Sequence, residues 1–179
     1  MKSKILLFAA GGILVALALI FWGSFPKRDT EVVPGGKGVT APLFSLTTLN
    51  GEKIHLADFR GKVVILDFWA TWCPPCQEGI PHLNELYRDY RNKGLAVIGI
   101  SLDRVGPEEV QRFLDRKSVE YINVMGSEEV FQAYNSLPGF GRIRGIPTAF
   151  IVDREGRVHK KFVGFTGKQI FETAIKPIL

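Results

Sequence analysis

Val63 to Trp69 reads V-V-I-L-D-F-W, an almost unbroken apolar run. Such a run predicts a strand buried on both faces. The period then changes. From Pro74 to about Asn92 the apolar residues Ile80, Leu83, Leu86, Tyr87 and Tyr90 fall on one face of a helix, which Gly94 ends. Leu95 to Leu102 predicts a second buried strand. Pro107 opens a helix with Glu108 and Glu109 in its first turn, where the helix dipole favours acids. A short helix is expected near Glu128 to Tyr134, followed by a loop rich in Gly and Pro. Two hairpins complete the pattern. One spans Phe44 to Leu56 and turns at Asn50-Gly51; the other joins Thr148–Val152 to Val158–Val163 through Asp153 to Gly156. A last helix runs from about Gly167 to Lys176. Strands alternating with helices in this way predict an α/β domain.

Ahead of this domain the pattern differs. Ile5 to Trp22 holds 18 residues without a charge. As a helix they span about 27 Å, close to the hydrocarbon core of a bilayer. Residues 1–22 are therefore expected to form an N-terminal membrane anchor, with Trp22 and Phe25 at the interface. A cleaved signal peptide is the rival reading. It is disfavoured because Leu19 to Trp22 continue the apolar run past the small residues Ala16 and Ala18. Lys2 and Lys4 precede the span and place the N-terminus in the cytoplasm, so the rest of the chain is expected on the extracytoplasmic side. Residues 23–41, with Pro34, Gly35, Gly36 and Gly38, read as a flexible linker, and 42–179 as the folded domain.

Composition adds limits. The chain has 179 residues and a formal charge of +5. Without Lys2 and Lys4, 21 basic and 18 acidic residues remain, and no basic stripe forms. Nucleic acid is therefore not an expected partner. The two cysteines, Cys73 and Cys76, are three positions apart, too near to close a stabilising loop. Their pairing points to reactivity. A metal site lacks ligands, since there is no third cysteine and His55, His82 and His159 are scattered.

Cys73 falls at the start of the predicted helix, where unpaired N–H groups and the dipole favour an anion. A thiolate is the nucleophile in disulfide exchange. Pro74 and Pro75 between the cysteines offer no N–H, so the nearest donor to Cys73 is the amide of Cys76. Weak amide stabilisation of the thiolate argues for a reducing or moderate redox poise. Asp67 lies six residues before Cys73, inside the apolar strand. A buried carboxyl there is expected to take the proton of Cys76 as that sulfur attacks; a core Asp without a catalytic part is the alternative.

At these residues the chain resembles the thioredoxin fold. D-F-W-A-T-W-C-P-P-C is similar to the thioredoxin active-site stretch, Pro81 to its helix-kinking proline, and Gly145-Ile146-Pro147-Thr148 to its cis-proline loop. The anchor, the hairpin before the first core strand and the central insertion at 103–126 resemble the TlpA/ResA/CcmG group of membrane-tethered thioredoxin-like proteins. The resemblance implies a central mixed sheet flanked by helices, behind one transmembrane helix. It implies an oxidoreductase of the bacterial inner membrane, single-pass, that reduces protein disulfides by Cys73 attack and Cys76 resolution. Apocytochrome c is the implied client, and a DsbD or CcdA relative the electron donor. The catalytic set is Cys73, Cys76, Asp67 and Pro147. The expected substrate contacts are Trp72, Pro74, Pro75, Ile146 and Thr148. No cofactor or metal is expected beyond the disulfide itself. The alternatives are a general disulfide oxidase or isomerase, and a peroxiredoxin-like peroxidase. The latter lacks its Thr or Ser and its Pro, since Ala70 and Leu66 stand at those positions.

Three departures from the group stand out. Many members carry Asn at the position of Asp67. Gly79 replaces a common Glu, with Glu78 one step earlier. Asn135 to Ile143 adds residues, Phe140 among them, that are placed to contact a substrate, or else form a tolerated surface insertion.

Overall fold

The structure is a computed structural model that describes residues 30–34 and 38–179. Eight strands are present among these residues: β1 (Glu31–Pro34), β2 (Ser45–Thr47), β3 (Lys53–His55), β4 (Val63–Trp69), β5 (Leu95–Ser101), β6 (Ile122–Met125), β7 (Thr148–Val152) and β8 (Val158–Val163). The helices are α1 (Pro74–Tyr90), α2 (Pro107–Arg116), α3 (Glu128–Asn135) and α4 (Lys168–Ile175). Six strands form one mixed sheet in the order β1-β8-β7-β4-β5-β6. β4, β5 and β6 run parallel; β7 is antiparallel to β4, and β8 to β7. β2 and β3 pair as the expected hairpin, with Gly51 at φ +91° in its turn.

Every residue of β4 and β5 is buried, as their apolar runs predict. Alternation splits β4 between two layers. Val64, Leu66 and Phe68 pack with the hairpin and α3 through Phe44, Leu46 and Tyr134. Val63 and Ile65 face α1 and α4 through Leu83, Leu86 and Phe171. At the end of β4, Trp69 joins Cys73, Cys76, Ile80 and residues of α2. The sheet therefore delivers β4 and the start of α1 to one rim of the domain, with the cysteines in the connecting turn.

Two strands escape the hydrophobic pattern. β6 is short and carries Asn123 in its middle. β1 lies inside the segment expected to be a flexible linker: Glu31 to Pro34 add an antiparallel edge to β8. Thr40 also bridges Arg157, and the Ala41 amide donates to the Gly156 carbonyl at 2.9 Å. Edge hydrogen bonds, which need no apolar side chain, hold residues 31–34 and 40–41 against the sheet. The expected anchor at 1–22 lies outside the described residues. Among the described residues no helix is long and apolar enough to cross a membrane.

The added segment between α3 and β7 is not a loose surface loop. Phe140 is 1% exposed and packs against Phe150, with ring centroids 6.4 Å apart. The side chain expected at a substrate surface is a core residue.

Candidate active site

Cys73 is the N-cap of α1, and Pro74 and Pro75 occupy the first turn. The backbone N–H groups that most helices leave unpaired there are absent, so the first usable donor is Cys76 N–H. It points at Cys73 Sγ at 3.3 Å, as the sequence predicts. The two sulfurs form a disulfide, and each cysteine is 3% exposed. Exposure thus does not distinguish them; position does. Cys73 caps the helix and lies against the loop before β7, where the carbonyl oxygen of Ile146 is 3.7 Å from its sulfur. In the disulfide that sulfur carries no proton; in the dithiol form the Cys73 thiol is the donor of this contact.

The Ile146–Pro147 peptide bond is cis, as the resemblance implies. Thr148 is fully buried and its hydroxyl donates to the Gly145 carbonyl at 2.6 Å. That side chain closes the loop and does not face solvent. The other expected contact residues sit at the rim: Trp72 is 67% exposed, Pro74 is exposed, and Pro75 and Ile146 are half-buried. Trp72 is a large apolar surface at the rim beside a buried disulfide. Glu78 is exposed on α1, and a side chain at Gly79 would meet nothing within 4 Å.

Asp67 sits in the middle of β4, paired with Gly99 on β5 and Ala149 on β7. Those two small residues leave room for a carboxyl on the α1 side of the sheet. Desolvation pushes its pKa from 3.8 up to about 7. The carboxyl is thus poised to exchange a proton near neutral pH. Tyr121, also buried, is held well above the usual phenol range, by desolvation first and by the neighbouring Asp67 second.

Two supports of the site escape the sequence reading. Asp103, just after β5, accepts from the Thr71 amide at 2.9 Å, the Thr71 hydroxyl at 2.7 Å and the Ser101 hydroxyl at 2.8 Å. Gln77 Nε2 donates to the Thr71 carbonyl at 2.7 Å, so both ends of that residue are held. The signal available was a Ser-x-Asp step at the carboxyl end of a buried strand, on the same rim as Cys73. The second support is Asn123, whose Oδ1 accepts from Trp69 Nε1 at 3.1 Å. Nothing in the local sequence of β6 announces that contact.

Comparison with known proteins agrees with this geometry. The AhpC/TSA family profile matches residues 38–161. Thiol-disulfide oxidoreductase ResA of Bacillus thuringiensis subsp. konkukian is 32% identical over 183 residues, covering 99% of each chain. ResA of Geobacillus kaustophilus is 33% identical over 179 residues, covering 99% of this chain and 98% of its own. The crystal structure of a thioredoxin-family thiol:disulfide interchange protein from Chlorobium tepidum superposes with a TM-score of 0.72 at 30% identity, over 80% of this chain and 98% of that one. With the paired cysteines at the head of α1, these likenesses show that the chain belongs to the AhpC/TSA family and is a thiol–disulfide oxidoreductase of the ResA type.

Proposed function

We propose that this oxidoreductase works as a reductase of protein disulfides on the extracytoplasmic side of a membrane, held there by residues 1–22. The observation that carries the reading is the placement of Cys73. It caps α1, receives the Cys76 amide at 3.3 Å and lies beside exposed Trp72 and the Ile146 carbonyl. The Cys73 thiolate attacks one sulfur of a client disulfide, joins it in a mixed disulfide and releases the other client sulfur as a thiolate. Asp67 takes the proton of the Cys76 thiol. Cys76 then attacks Cys73 Sγ, expels the second client sulfur and leaves the Cys73–Cys76 disulfide. Two electrons pass to the client. Regeneration needs a thiol donor, and a membrane dithiol protein of the DsbD or CcdA type fits an anchored domain. A client in cytochrome c maturation, apocytochrome c itself, suits a protein held at that surface.

Substitution of Cys76 by Ser tests the exchange order. The variant should accumulate mixed disulfides through Cys73 in membranes, cleaved by dithiothreitol. Capture by Cys73→Ser and not by Cys76→Ser would reverse the assignment of the two sulfurs.

A further inference from the structure

Residues 136–147 link α3 to β7 beside the disulfide, and a buried lysine anchors them. Lys161 stands on β8, 1% exposed. Its ammonium donates to the carbonyl oxygens of Phe140 at 3.1 Å, Gly141 at 3.1 Å and Arg142 at 2.7 Å. An ammonium has three donors, and all three are used, which is what makes its burial tolerable. Burial holds the lysine below its usual pKa range; Glu31 works against this and Arg144 adds to it. Asn135 Oδ1 accepts from the Ile143 amide at 2.8 Å, and Phe140 is inserted into the core.

The loop is therefore fixed from within, and the residues it leaves exposed include Arg142 and Arg144. Residues 135–145 contain these two arginines and no acidic residue. Neither arginine forms an ion pair among the described residues. Both line a cleft of about 150 Å³ whose one carboxylate is Glu31. Arg144 stands two residues before Ile146, whose carbonyl oxygen touches Cys73 Sγ at 3.7 Å. On neighbouring elements, Asp103 is engaged with Thr71 and Ser101, and Glu78 is exposed on α1.

We propose that Arg142 and Arg144 select clients whose disulfide is flanked by carboxylates. The inference rests on the reductase reading and names the substrate class of the same site. Positive charge on the loop that carries Ile146 to Cys73 raises the encounter rate of an anionic segment with that side of the domain, and salt weakens the effect.

The test uses the reduced full-length chain in neutral detergent and two peptides with one disulfide each. They differ only in carrying Glu or Lys beside each cysteine. Rates are normalised to that of hydroxyethyl disulfide on the same preparation. The Glu peptide should react about tenfold faster at low ionic strength. Salt at about 0.5 M should bring the ratio close to one. So should the double variant Arg142→Gln/Arg144→Gln. Equal rates for the two peptides, or a preference that survives the double variant, would overturn the inference and leave the reductase reading standing. Failure to reduce either peptide or hydroxyethyl disulfide would overturn both.

Discussion

Asp103 holds Thr71, the residue two positions before Cys73, by its amide at 2.9 Å and by its hydroxyl at 2.7 Å. The connection between β4 and α1 is thus tied to the end of β5, and Trp72 projects from a braced turn. Replacing Asp103 by Ala leaves a partly buried amide and hydroxyl without their acceptor. Such a loss costs about 1–3 kcal/mol. Urea denaturation of the oxidised protein should show it, and Asp103→Asn, which keeps one acceptor oxygen, should recover part of it.

The buried carboxyl of Asp67 makes stability depend on pH in a defined direction. Its pKa is 3.8 when unfolded and about 7 when folded, so the folded state binds the extra proton between those values. Stability from this group is fully present below 3.8 and is lost as pH rises through 7. Relative to Asp67→Asn, the protein should lose on the order of 3–4 kcal/mol between pH 4 and pH 8. Urea denaturation at the two pH values measures it, and a difference that stays constant contradicts the assignment. Asp67→Ala should also slow disulfide exchange near neutral pH and remove an inflection near pH 7 from the rate profile.

Gly99 is required by side chains, not by its backbone. A methyl group there would lie 2.1 Å from Asn123 Oδ1 and 2.9 Å from Trp69 Nε1. It would part the hydrogen bond that fixes Trp69 beneath the cysteines. Gly99→Ala should cost about 1–3 kcal/mol, the range for overpacking, and change the near-ultraviolet circular dichroism of Trp69.

The central strands, four helices, both hairpins and the cysteine pair are legible in the sequence because each has a local cause. The apolar run of β4 has no other way to be buried, and Gly51 and Gly94 mark ends that only certain backbones adopt. What is hidden depends on partners far along the chain. β1 exists through pairing with β8, and Lys161 looks like any strand lysine until the carbonyls of residues 140–142 are brought to it. Phe140 sits in a Gly-rich segment that reads as surface, yet Phe150 and the core claim it. At the site, Cys73 and Cys76 are visible from their spacing and Asp67 from its apolar strand, whereas Pro147 is expected only through the resemblance to the thioredoxin cis-proline loop. Asp103 and Asn123 are not, since their work is done across strands.

A reductase must pass electrons from the Cys73–Cys76 dithiol to its client. Pro74 and Pro75 leave the Cys76 amide as the donor from the first turn to the Cys73 sulfur, so the thiolate and the reduced state gain little extra stability. Equilibration of the Cys73–Cys76 pair with a dithiothreitol redox buffer gives its reduction potential. A reducing value is expected, between about −200 and −270 mV; a value near −120 mV, that of a strong oxidant, would contradict the reductase function.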